Sequence, residues 1–284
     1  MAVDSKVLER GRDRPLSLSY YTVPNLTPPE VVNVAALSGC QHVGLRLLGG
    51  QPGDNDMPLL TDAGLRRQTR VSMIDADITA LDANTARIVP ETDTNAFLPF
   101  LDVAAELGAR HVLTTADDPE GGRLVDNLLA LGDAAIERDL TIDLEFVPWL
   151  SICNVLSAAD FIRRCKHSAI GIAVDALHFC RSGSEVRDLH DLPSSWFRYL
   201  QICDAPQLLS APGRDELIHE ATKERLLPGE GVIDLAGLIR ALPSSLPLAI
   251  EIPQSTLTAT LDDLERVTRA VKATRGLLNE IEKI

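Results

Sequence analysis

Four oxygen-bearing side chains in the second half of the chain each stand inside an apolar run. Glu145 lies in "DLEFVPW", Asp175 in "AVDALHF", Gln201 in "LQICDAP" and Glu251 in "AIEIP". A carboxylate buried in such a run is costly unless it is paired or binds a cation. None of these short runs contains Lys or Arg, so three acids converging on one place would repel one another strongly. A divalent cation removes that repulsion, and the amide oxygen of Gln201 then serves as a neutral fourth ligand. Such an all-oxygen set is hard and favours Mn²⁺ or Mg²⁺, whereas Zn²⁺ more naturally brings histidines or thiolates. A single acid at a strand end is more often a helix cap or a salt-bridge partner. It is the succession of four that points to one site.

The elements that must bring them together are strands alternating with helices, a pattern that predicts a parallel sheet of βα units. Candidate strands are "PLSLSY" (15–20), "HVGLRLL" (42–48), "RVSMIDADI" (70–78) and "RHVLTT" (110–115). Four more follow at "TIDLEFV" (141–147), "IGIAVDALH" (170–178), "RYLQICDA" (198–205) and "PLAIEIP" (247–253). Eight strands with intervening helices predict a (β/α)8 TIM barrel, whose chemistry sits at the carboxyl ends of the strands. A doubly wound open sheet is the alternative. It would want a glycine-rich turn after the first strand, and "YYTVPNLTPPE" has none. One domain over 15–284 is expected, with residues 1–14 a tail or a plug.

Helix signals fit the same plan. Thr27, Pro28 and Glu30 form an N-terminal capping pattern that Gly39 closes. Residues 92–108 have helical periodicity, with Pro99 marking a kink or a later start, and 121–138 and 155–166 read as two further helices. Asp234 is placed to cap "LAGLIRAL". Leu264, Val267, Val271, Leu278 and Ile281 share one stripe, suited to packing on the barrel; a homo-oligomer seam is the rarer use.

Composition limits the partners. The 284 residues carry a formal net charge of −14, which repels nucleic-acid phosphate and anionic membrane surface. The five cysteines (40, 153, 165, 180 and 203) are widely spaced without a C-x-x-C, as befits buried thiols in a reducing cytosol. The charged N-terminus lacks a secretory h-region, and no apolar run approaches the roughly 20 residues of a membrane span. A cytoplasmic protein acting on a small molecule is expected.

With "DALH" (175–178) and "ERLLPGEGVID" (224–234) added, the four residues resemble the xylose-isomerase-like TIM-barrel superfamily, often labelled sugar phosphate isomerase/epimerase. Its members carry Glu, Asp, His or Gln, and Glu on the last four strands around one divalent metal. The resemblance implies that Glu145, Asp175, Gln201 and Glu251 are metal ligands, that His178 lies at or just behind the substrate, and that Arg225 contacts substrate. Glutamine in place of the histidine usual in the sugar epimerases, together with "CDAP", is similar to the bacterial 3-dehydroshikimate dehydratases of that superfamily. Endonuclease-IV-like repair enzymes share the fold, but their zinc cluster needs several histidines at strand ends. Of the six here, only His178 is so placed.

The chemistry implied is proton abstraction next to a carbonyl through a metal-stabilised enediolate. Glu145 and Glu251 would take the proton and return it, in an isomerase or epimerase acting on a polyhydroxylated substrate. In a lyase the enolate would expel a β-hydroxyl with His178 assisting. A barrel that binds metal or sugar without turnover is the alternative of a different class. Arg46, closing "GLRLL", could hold a substrate carboxylate, phosphate or hydroxyl, or make a rim salt bridge. Trp149 and Phe179 could line the pocket or belong to the core, and Gly229 and Gly231 are weak signs of a phosphate turn.

Overall fold

The computed structural model describes residues 14–49 and 57–283. The expected tail lies outside them except for Arg14, which is buried and donates from Nε to the Leu246 carbonyl at 2.8 Å.

Eight parallel strands close into a barrel in sequence order. They are β1 (Leu16–Leu18), β2 (His42–Arg46), β3 (Thr79–Ile88), β4 (His111–Ala116), β5 (Thr141–Glu145), β6 (Ile170–Asp175), β7 (Phe197–Ile202) and β8 (Leu248–Ile250). Closure comes from β1, which pairs with both β2 and β8. Outward residues such as Ile142, Leu144, Ile172 and Val174 are fully buried in the main core beneath the helices. Side chains alternate between the faces of a strand, so Asp143 and Glu145 point to the barrel interior.

The helix starts follow the local chemistry. Glu30 Oε2 accepts from the Thr27 N–H at 2.8 Å, and Gly39 ends that helix at φ 91°, where only glycine is unstrained. Pro99 sits in the first turn of the helix Leu98–Glu106, after a 3-10 turn over Thr94–Phe97. Asp234 accepts from the Gly237 N–H at 2.8 Å. The last helix, Asp263–Ile281, buries Val267, Val271 and Leu278. Among the described residues no helix is long and apolar enough to cross a membrane.

The third strand is not where the sequence puts it. Most of "RVSMIDADI" is the end of a helix, Ala63–Asp75, and β3 begins at Thr79. Asp62 starts that helix by accepting from the Gly64 and Leu65 N–H groups. Thr69 and Met73, four apart, are buried, while Val71 and Ile74 are 51% and 73% exposed. The apolar residues of 71–74 imitate strand alternation over too short a span to separate the two periods. The true strand, "TALDANTARI", turns Asp82 and Asn84 into the barrel, which breaks the apolar run a strand reading looks for.

Candidate active and metal site

Glu145 and Asp175 are the last residues of β5 and β6, Gln201 pairs in register with Asp175, and Glu251 directly follows β8. All four are at most 6% exposed. The structure therefore gathers the predicted ligand set at one edge of the barrel.

Each residue is held differently. Asp175 caps the short helix Ala176–Arg181, with Oδ1 accepting from the His178 N–H at 2.9 Å. Its Oδ2 accepts from Arg225 Nη1 at 2.6 Å, and Glu251 Oε1 accepts from Arg225 Nη2 at 3.2 Å. Glu251 Oε2 accepts from Ser19 Oγ at 2.7 Å and from Gln201 Nε2 at 2.6 Å. That last bond fixes the Gln201 amide and leaves its buried Oε1 without a hydrogen-bond partner. Arg225 is itself buried, with Nε donating to the Ala221 carbonyl at 2.9 Å.

The charges do not balance within the protein. Burial raises the Glu145 carboxyl well above its usual range, and the neighbouring Asp175 and Glu251 push it further. Burial acts in the same sense on Asp175, but Arg225, His178 and their hydrogen bonds bring it below its usual value. Glu251 ends raised, by burial that Arg225 only partly offsets. Arg225 is thus the shared ion-pair partner of Asp175 and Glu251, and Glu145 feels it only at longer range, too weakly to offset burial and its acidic neighbours. Burial lowers His178 to about 4 against the pull of Asp175, so its ring is neutral near pH 7.

A divalent metal fits this arrangement. Glu145, Asp175 and His178 each offer a ligand atom within 4.8 Å of the others. Two buried atoms next to that group, Gln201 Oε1 and His178 Nδ1, lack partners, and an orphaned buried acceptor carries its full desolvation penalty. His178, expected at the substrate, thereby joins the possible ligands. A nitrogen donor makes the set less exclusively hard than four oxygens would be.

The site opens into a cavity of about 240 Å³ whose wall includes Glu145, His178, Arg225 and Glu251. One side is the helix Arg214–Lys223, which turns Arg214, Ile218, Ala221 and Thr222 towards it. Their i, i+4, i+7, i+8 spacing is one helix face. Arg181 ties the helix down through two bonds to Glu220, at 2.8 and 2.6 Å. The loop behind is fastened by Asp204, which accepts from the N–H groups of Ala205, Gly229, Gly231 and Ile233. A Cβ on Gly231 would run into the Asp204 carboxylate and the Ala205 carbonyl, which is why that position is glycine. The N–H groups of Gly229 and Gly231 thus serve the loop.

Other predicted residues are distributed. Trp149 lines the cavity edge-on to His178 at 5.3 Å, whereas Phe179 is buried in the core against Phe146. Arg46 lies over the rings of Tyr21 and Tyr20, at 4.9 and 5.3 Å, and lines a neighbouring cavity with Gly44 and Met57. Sequence reasoning missed Arg87, Arg214, Tyr21 and Ser19. Arg87 stands on the displaced third strand, and Arg214 opens a polar helix with no strand to mark it.

Known proteins share this framework. The family model described as xylose isomerase-like TIM barrel matches residues 59–275. A 3-dehydroshikimate dehydratase of Pseudomonas aeruginosa is 29% identical over 160 residues, which are 53% of this chain and 24% of that protein. The chain thus spans about a quarter of the length of that relative. A xylose isomerase-like TIM barrel/4-hydroxyphenylpyruvate dioxygenase fusion protein superposes with a TM-score of 0.77 at 21% identity, over 92% of this chain and 42% of that one. The IOLI protein, solved with a bound zinc atom, also gives 0.77 at 19% identity, over 94% of this chain and 98% of that one.

Proposed function

Because the chain belongs to the xylose isomerase-like TIM-barrel family, we propose that it is a metal-dependent dehydratase of the 3-dehydroshikimate type. It would act on a small polyhydroxylated substrate that carries both a carbonyl and a carboxylate. The observation that carries this reading is the charge of the cavity wall. Arg225 is committed to Asp175 and Glu251 and Arg87 pairs with Asp117, while Arg214 adds a further cation to the same cavity wall. A neutral sugar calls for no such cations, whereas a carboxylate is the usual partner of a guanidinium. The hydroxyl-bearing residues Tyr21, Thr85 and Thr115, on the same wall, suit the remaining hydroxyls. The dehydratase similarity and Gln201 support the same assignment.

Glu145, Asp175, His178, Gln201 and Glu251 are the residues that would hold the metal, Mn²⁺ or Mg²⁺ in the first instance. When bound, it supplies Lewis-acid polarisation of the carbonyl. Glu145 is the base: its carboxylate lines the cavity beside His178, where a substrate C–H proton would come within reach. The proton moves to the Glu145 carboxylate and the C–H electron pair becomes the new C=C bond. The β C–O bond breaks, and its hydroxide leaves as water by taking that proton from Glu145, which returns to its carboxylate form. Neutral His178 suits metal ligation, or a hydrogen bond to the departing oxygen, better than proton donation from an imidazolium. Glu251, tied by Ser19, Gln201 and Arg225, keeps its place throughout.

A second reading, isomerase or epimerase, is favoured by one feature: Glu145 and Glu251 line the same cavity, so one could take a proton and the other return it. The assay separates the readings. Manganese-loaded protein given 3-dehydroshikimate should produce a conjugated product, seen by absorbance. Deuterium uptake into a ketose panel in D₂O without elimination would favour the second reading. Binding of Mn²⁺ with neither reaction would leave a non-catalytic barrel.

A further inference from the structure

After β1 the chain enters the 3-10 turn Tyr20–Thr22, and that turn is fastened to the end of β8. The Ser19 N–H donates to the Ile250 carbonyl at 3.0 Å, and Ser19 Oγ reaches Glu251 Oε2 at 2.7 Å. Thr22 Oγ1 donates to the Ile250 carbonyl at 2.8 Å and accepts from the Ile252 N–H at 3.0 Å. Behind them the buried Arg266 donates to the Thr22 carbonyl at 3.1 Å. Ser19 and Thr22 are both at most 5% exposed. Tyr21 therefore stands between two anchors that grip the residues on either side of Glu251, so its backbone is fixed relative to that acid.

The Tyr21 side chain has a holder of its own. The Arg46 guanidinium, from the end of β2, lies 4.9 Å from the centre of the Tyr21 ring and 5.3 Å from that of Tyr20. A guanidinium is drawn to an aromatic face, and this one also hydrogen-bonds the Tyr21 hydroxyl. Both neighbours are held in turn: Arg46 Nε donates to the Leu48 carbonyl at 3.1 Å, and Tyr20 OH to the Pro24 carbonyl at 2.9 Å. Two cavities meet across this group. Tyr21 lines the one that holds Glu145 and Glu251, while Arg46 and Tyr20 line its neighbour.

We infer that Arg46 is a positioning residue that acts through Tyr21, turning the phenolic O–H towards a hydroxyl or carbonyl oxygen of the substrate. A guanidinium only donates, so its bond to Tyr21 occupies an oxygen lone pair and leaves the O–H to be given elsewhere. Burial raises the Tyr21 hydroxyl above its usual range against the pull of Arg46, and the phenol keeps its proton at neutral pH. A neutral donor suits a neutral oxygen, whereas a carboxylate calls for a guanidinium such as that of Arg214. Arg46 thus serves the substrate from the neighbouring cavity, not as its ion-pair partner. The inference rests on the proposed polyhydroxylated substrate and names the donor for one of its oxygens; its test separates the two.

The first arm is a double-mutant cycle in the manganese-loaded full chain with 3-dehydroshikimate. Tyr21→Phe, which removes only the O–H, should raise KM about tenfold, the size of one neutral hydrogen bond, with kcat and Mn²⁺ affinity unchanged. Arg46→Met should raise KM in the same direction, yet add less than about twofold once Tyr21→Phe is present. An unchanged KM in Tyr21→Phe overturns the donor. Effects of the two substitutions that multiply independently, or an Mn²⁺ affinity that falls with either, overturn the coupling. The second arm compares crystal structures of the wild type and Arg46→Met. The Tyr21 ring should leave its place in the variant; an unmoved ring overturns the positioning role whatever the reaction. Should Arg46→Met fail to fold, Arg46→Lys, which loses the planar stack, replaces it in both arms with the same outcomes. If the wild type turns over no 3-dehydroshikimate, it is the dehydratase reading that fails, and the crystal arm alone decides the inference.

Discussion

The two halves of the barrel divide the work. From β5 to β8 the strand ends carry the residues proposed to hold the metal: Glu145, Asp175, Gln201 and Glu251. From β1 to β4 the corresponding positions carry Ser19, Arg46, Asn84 and Thr115, which donate, orient or neutralise. The closing half thus concentrates negative charge that folding alone does not repay, and the opening half supplies neutral donors and cations. Ser19 is the clearest link, reaching from the end of β1 to Glu251 at 2.7 Å.

The sharpest way to break this comparison is to remove the base. Glu145→Gln should cut turnover by about 10³-fold with an unchanged circular dichroism spectrum; wild-type rates would end the role given to the closing half. Next comes the internal counter-charge. Arg225→Met leaves Asp175 and Glu251 buried without their cation and should cost about 3–5 kcal/mol of stability in urea unfolding of the metal-free protein. Added Mn²⁺ should restore part of that loss. Third is pH. The raised carboxyls of Glu145, Glu251 and Asp82, the last at about 7, keep protons in the folded state that the unfolded chain gives up from about 4 upward. Stability of the metal-stripped protein should therefore fall as pH rises from about 4 to about 7, read as Tm, and Asp82→Asn should flatten the slope. The smallest effect tests the cavity wall: Arg214→Gln should raise KM for a carboxylate substrate about tenfold while kcat holds.

The closing half was legible in the sequence because its acids interrupt apolar runs, and a charge inside such a run has few explanations. The ring of eight strands was legible from their alternation with helices, with one exception. β3 was hidden because Asp82 and Asn84 face a polar interior, while 70–75, on a helix with half-exposed apolar residues, looked more like a strand than the strand did. Arg87 was lost with it. His178 was visible through its spacing from Asp175, but only burial and the ring's position bring it within reach of both Glu145 and Asp175. Arg225 was expected to meet substrate from a loop. That it is buried between Asp175 and Glu251 depends on how the loop folds back, which no local pattern encodes.

That fold-back has its own consequence. Asp204 and Leu226 exchange both backbone hydrogen bonds at 2.9 Å, and the Asp204 carboxylate secures the turn beyond them. The excursion between, with the helix that covers the cavity, leaves and rejoins the barrel at this clamped neck and is pinned again where Arg181 holds Glu220 and Pro206. Changes along its outer turns would reshape the wall that Arg214 and Ile218 give the cavity, while the clasp keeps Arg225 aimed at the acids below.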